Sequence, residues 1–127
     1  METLQVGMST AEMATGGRLA LKENGRTTFV PLDEVEFFEA SGNYVEVHTG
    51  NANYRVRATL STFLTGLPSH FVQIHRSVIV NRNRVQQLRP LFSGKYAVTL
   101  SSGKQVTLSR SHRPQLSVLK EPVLNAS

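Results

Sequence analysis

The sequence of 127 residues predicts an all-β domain, a sandwich or barrel of about ten short strands with one or two short helices. Three observations carry that reading. Apolar and polar residues alternate over most of the chain, as in Tyr44-Val45-Glu46-Val47-His48, so each such segment buries one face. Turn formers (Gly, Asn, Ser, Pro) interrupt the chain roughly every eight to twelve residues. Only residues 59–67 carry a definite helical period.

Residues 1–17 hold no aromatic residue and end in two glycines, which predicts a flexible N-terminal tail. Ser9 and Glu12 have the spacing of a capping box, enough for one helical turn. Strands at 18–22 and 27–30 flank Asn24-Gly25, a strong hairpin signal because both turn positions need positive φ. Strands at 35–40 and 44–49 flank the turn Ser41-Gly42-Asn43, and Gly50-Asn51-Ala52 leads into a strand at 54–57. Leu60, Phe63, Leu64 and Leu67 then share one helix face, with Thr59 as N-cap and Gly66 and Pro68 as terminators. Two dense apolar runs follow, 71–74 and 78–80, too rich in β-branched residues for a helix. A strand at 85–92 contains Pro90, which places it at an edge or bulge. Strands at 95–100 and 104–108 complete the sheets. Residues 111–119 can form a last short helix with Pro114 near its start, and 120–127 read as a C-terminal tail. The domain proper is therefore 18–119. Its expected core includes Val45, Val47, Leu60, Leu64, Phe71, Ile74, Val78, Val80, Val98 and Leu100.

A chain of this length is one domain and buries roughly two-thirds of the surface its unfolded form exposes. No apolar run approaches the ~18 residues of a membrane span, and the N-terminus has neither the basic start nor the apolar centre of a secretory signal. Cysteine is absent, which excludes disulfides and thiolate metal sites and fits a cytoplasmic protein. Charge is unevenly placed. Eight of the nine acids lie in residues 1–46, whereas 47–120 hold eleven Lys and Arg and no acid at all. That field suits a polyanion, nucleic acid above all.

The chemistry centres on residues 71–84, FVQIHRSVIVNRNR. His75-Arg76-Ser77 stands between the two apolar runs, so the core holds the chain on both sides of an arginine. Held in this way, arginine can donate two bonds to the O6 and N7 edge of guanine. The phrase F-x-x-I-H-R-S-x-I-V-N resembles the central signature of the LytTR-type DNA-binding domain, a module of bacterial transcription factors. The resemblance extends over about residues 32–119. Val35-Glu36-Phe37-Phe38-Glu39-Ala40 and Gly42-Asn43-Tyr44-Val45 resemble the opening motif, and Leu108-Ser109-Arg110 the closing one.

The resemblance implies an elongated sandwich of several small antiparallel sheets whose loops enter the major groove of duplex DNA. It implies sequence-specific binding in transcription regulation, on repeated half-sites, under a receiver domain or other regulatory chain. The DNA-binding residues expected on this basis are Asn43, His75, Arg76, Ser77, Arg82, Arg84, Ser109 and Arg110. Arg76 and Arg110 are the expected base readers, whereas Arg82 and Arg84 suit backbone phosphate. His75 and Ser77 can contact phosphate or simply fix the turn. Asn43 suits an adenine edge and an ordinary turn equally, and Asn81 can bond a buried turn. No cofactor, metal, membrane partner or enzymatic activity is expected. Asp33 is the only aspartate and stands outside any acidic pocket, so the chain is not itself a phosphorylated switch. Two alternatives belong to other classes. One is a single-stranded RNA-binding β-domain, which needs exposed aromatics for stacking. The other is a metal-free ribonuclease using His75, His112 and Arg76.

Overall fold

The computed structural model describes residues 10–14 and 17–121. Within them, eleven strands form three antiparallel sheets. The N-terminal sheet is β1 (Thr10–Ala14), β2 (Arg18–Glu23) and β3 (Arg26–Pro31). The central sheet has the order β6-β5-β4-β8-β7, from β4 (Val35–Ser41), β5 (Tyr44–Thr49), β6 (Asn53–Arg57), β7 (Phe71–His75) and β8 (Val78–Asn81). The C-terminal sheet is β9 (Val85–Pro90), β10 (Tyr96–Leu100) and β11 (Gln105–Leu108), with β10 in the middle. Helix α1 (Leu60–Gly66) follows β6, and α2 (Leu116–Lys120) ends the described chain.

The central sheet is apolar on both faces, and this explains the dense runs in the sequence. Phe38, Val45, Val47, Phe71 and Ile79 face one cluster, shared with the N-terminal sheet and α1. Phe37, Val72, Ile74, Val78 and Val80 face the other, shared with the C-terminal sheet and α2. Adjacent residues in β4, β7 and β8 thus feed opposite cores. The expected core residues are buried except Leu64, which is exposed. Helix α1 is so short that Leu60 and Phe63 take its buried face and Leu64 falls on its flank. Pro90 ends β9 at a sheet edge, where a missing N–H removes no ladder bond.

Two buried polar groups tie the layers together. The Glu36 carboxylate accepts from Ser101 Oγ (3.0 Å), Ser102 N (2.8 Å) and Ser102 Oγ (2.6 Å), which fastens the β10–β11 turn to β4. Asn81 donates from Nδ2 to Val35 O (2.9 Å) and accepts from Asn83 N (2.9 Å), capping the 3-10 turn Arg82–Arg84.

Described structure extends into both expected tails. Thr10–Ala14 is a strand that pairs along β2, from Ala14↔Arg18 to Thr10↔Lys22. Backbone groups at a sheet edge recruit a partner strand with little regard to its side chains, so composition gave no warning. Glu12 lies inside that strand, which removes the capping-box helix. At the other end, Lys120 closes α2 and Glu121 accepts from Arg82 NH1 at 2.9 Å. The remaining tail positions, 1–9, 15–16 and 122–127, lie outside the described residues. The expected helix at 111–119 is in part a 3-10 segment, Arg110–Gln115, containing Pro114; only Leu116–Lys120 is α-helical.

Candidate nucleic-acid interface

The antiparallel central sheet brings two polar turns to the same end. The β4–β5 turn is Gly42-Asn43, with Gly42 at φ +63° and Ser41 paired to Tyr44. Glycine at the first position of a two-residue hairpin supplies that positive φ without steric cost. The β7–β8 turn is Arg76-Ser77. Because β8 pairs antiparallel with β4, Ala40 N donates to Ser77 O at 2.8 Å, so Asn43 and Arg76 project from adjacent turns. Both side chains are exposed.

The Arg76 turn is stiffened from within. His75 Nδ1 accepts from Ser77 N at 3.1 Å and lies 3.0 Å from Ser77 Oγ. Because that nitrogen accepts, the neutral ring carries its proton on Nε2. Gln73 Nε2 donates to His75 O at 3.2 Å, with Arg76 O at 3.5 Å. His75 and Ser77 therefore shape the turn, and each is half-buried.

Ser109 and Arg110 reach the same region from the C-terminal sheet. Ser109 N donates to Ile74 O at 2.8 Å, which seats the end of β11 beside β7, and the exposed Arg110 follows directly. Ser109 Oγ lies 2.8 Å from His112 Nδ1.

Arg82 and Arg84 are not brought to this end. Strand β8 separates their turn from Ser77 by roughly 13 Å at the usual rise per residue. Both are half-buried and already partnered. Arg82 pairs with Glu121, and Arg84 donates from Nε (2.9 Å) and NH2 (2.6 Å) to Asp33 O. Arg57, absent from the expected residues, also lies at this end of the central sheet. It pairs with Tyr44 at the end of β6 and is exposed beside Asn43. Its alternation with the inward Tyr54 and Val56 was the available signal.

The pattern of the LytTr DNA-binding domain family matches residues 25–120. The chain belongs to the LytTR family. Its relatives include the sensory transduction protein LytT of Bacillus subtilis strain 168, 27% identical over 103 residues, which cover 80% of this chain and 43% of LytT. The transcriptional regulatory protein YpdB of Escherichia coli K12 is 30% identical over 93 residues, covering 72% of this chain and 38% of YpdB. The chain thus spans about two fifths of the length of these relatives. The LytTr DNA-binding domain of a DNA response regulator from Bacillus cereus shares the fold, with a TM-score of 0.74 at 24% identity over 84% of this chain and 98% of that one. No helix among the described residues of this LytTR domain is long and apolar enough to cross a membrane, and no His, Asp and Glu group there is placed to hold a metal ion.

Away from the turns of this LytTR domain, His48 stacks on Phe37 with ring centroids 4.1 Å apart. Among the described residues no group meets full hydrogen-bond geometry with either ring nitrogen, the Asn53 side chain approaches only weakly, and the Glu39 and Glu46 carboxylates stand 3.7 Å from Nε2. Burial, then the Lys104 charge, push its pKa below the ordinary 6.5, outweighing both carboxylates and Asn53. His70 is shifted the same way by burial and by Arg82. A histidine with a depressed folded pKa contributes stability that is fully present above the unfolded value and declines as pH falls towards the folded one. The urea midpoint should therefore drop as pH falls below about 6.5, and His48→Gln should flatten that drop. An unchanged pH profile in the variant would assign the dependence elsewhere.

Proposed function

We propose that this domain binds double-stranded DNA sequence-specifically in transcription regulation, with the 41–44 and 75–77 turns and Arg110 entering the major groove. The observation that carries the reading is the gathering of Asn43, Arg76 and Arg110 about one end of the central sheet, on turns braced by backbone bonds. Arg76 and Arg110 are assigned to base edges, since bidentate readout needs a guanidinium with a fixed root. His75, Ser77 and Ser109 hold those roots and offer donors to phosphate. Arg82 and Arg84, partnered at the far end, brace the fold and border the DNA at most through phosphate. The site acts on repeated half-sites, in the cytoplasm. A receiver domain or other regulatory chain controls it, since the relatives extend well beyond the matched region.

Binding rather than catalysis is the role the geometry supports. The Nδ1 atoms of His75 and His112 each engage a serine of their own turn rather than a shared centre. Single-strand stacking would fall to the exposed Phe92 and Phe29, because Phe37, Phe38, Phe63 and Phe71 are buried.

Selection of bound duplexes from a random pool tests specificity and reads half-site spacing directly. On the selected site, roughly four to six phosphate contacts would give a log–log salt slope of about −4 to −5. A flat affinity between low and moderate salt would remove the electrostatic basis of the proposal. Tighter binding to single-stranded RNA than to any duplex would replace it.

A further inference from the structure

Phe92 is 93% exposed, the most exposed of the large apolar side chains among the described residues, and its neighbour Leu91 is 37% exposed. A lone exposed apolar residue ordinarily means nothing. Two features set this one apart. The first is rigid presentation. The β9–β10 connection closes with Leu91 N donating to Lys95 O at 2.8 Å, and its tip holds Ser93 at φ +68° and Gly94 at φ +78°. Positive φ at a serine is a strained arrangement that the rest of the turn must enforce.

The second feature is location. The turn packs on the arginine that the closing motif supplies. A Cβ on Gly94 would lie 3.2 Å from Arg110 Cδ, 3.3 Å from Arg110 Cγ and 3.3 Å from Arg113 NH1. The backbone of the turn therefore lies against the aliphatic stem of Arg110, and a side chain at Gly94 would oblige Arg110 or Arg113 to shift by a few tenths of an ångström. Arg113 in turn sits over the Tyr96 ring, 5.7 Å from its centroid. Phe92 thus stands in a group with Lys95, Arg110 and Arg113, in a stretch of sequence without an acidic residue. A phenyl ring carried among cations matches a polyanion with apolar edges, and duplex DNA offers such edges at thymine methyls and deoxyribose.

We propose that Phe92 makes an apolar contact with duplex DNA, against a thymine 5-methyl group next to the base pair that Arg110 meets. This rests on the DNA-binding reading and adds to it a specificity contact that carries no charge.

The test uses the selected duplex and fluorescence anisotropy at fixed salt. Phe92→Ala should weaken binding roughly tenfold, the order expected for burying much of one aromatic side chain. It should leave the salt slope unchanged, because no phosphate loses its counter-charge. Circular dichroism should be that of wild type, since so exposed a ring packs little. Replacing thymines one at a time by deoxyuridine removes only the methyl group. At one or two positions this should weaken wild type and have no further effect on Phe92→Ala. Equal affinity of Phe92→Ala and wild type overturns the proposal while leaving DNA binding intact. So does a loss seen only on paired half-sites, which would place Phe92 between two copies of the chain, or a loss insensitive to every deoxyuridine. Absence of duplex binding by wild type overturns this inference and the reading beneath it together.

Discussion

Arg76→Ala should cost roughly 1–3 kcal/mol on the preferred duplex and much less on scrambled DNA, relaxing specificity at one position. The expectation follows from how the side chain is held. Ile74 and Val78 on either side are 0% and 5% exposed, so the hairpin ends are fixed in the core. Between them, Ser77 N donates to His75 Nδ1, Gln73 donates to His75 O, and Ala40 N closes the turn onto β4. Little conformational freedom remains at the root of the guanidinium, so the loss on truncation is mainly a loss of aimed hydrogen bonds. Arg76→Lys keeps the charge without the planar fork, and should resemble Arg76→Ala on the preferred site but wild type on random DNA. Arg82→Ala is the comparison. Its guanidinium already meets Glu121, so any effect on binding should be small and alike on all sequences. Binding curves for the three variants on preferred and scrambled duplexes decide the matter. An equal factor lost on both duplexes by Arg76→Ala would make Arg76 a phosphate contact.

Ile74→Ala should destabilise the fold by about 2–5 kcal/mol, the range for truncating a fully buried isoleucine. Ile74 is 0% exposed in the cluster formed by Phe37, Val78, Val98, Leu100 and Leu108, between the central and C-terminal sheets. The pairing of β7 with β8 shifts register between Gln73 and His75, beside this side chain. The same residue supplies the carbonyl that receives Ser109 N. Loosening it should disturb both the Arg76 turn and the entry to Arg110, so affinity should fall beyond the unfolded fraction alone. Denaturant titration measures the first effect, and anisotropy on the folded variant at low temperature the second. A stability change below about 1 kcal/mol would mean the layers repack around the alanine.

Alternation and turn chemistry were enough to place most strands. Asn24-Gly25 and Gly42-Asn43 became hairpin turns, and Thr59 caps α1 by accepting from Thr62 N. These are local effects, decided within a few residues of chain. The strand at Thr10–Ala14 was not legible, because an edge strand is recruited by backbone groups elsewhere in the chain. Leu64 misled for a related reason: a helical period names a face, but the width buried depends on what packs against it.

By itself the sequence determined the all-β class, the two apolar runs around His75-Arg76-Ser77 and the acid-free span from 47 to 120. Each depends on composition or on neighbours in the chain. Only the tertiary structure decided which charges share a surface. Arg76 and Arg82 are six positions apart in sequence, yet a single antiparallel strand carries them to opposite ends of the sheet. Arg76 and Arg110 are far apart in sequence, yet the Ser109–Ile74 bond brings their strands together. Strand direction and register are set by long-range pairing, and local pattern contains neither.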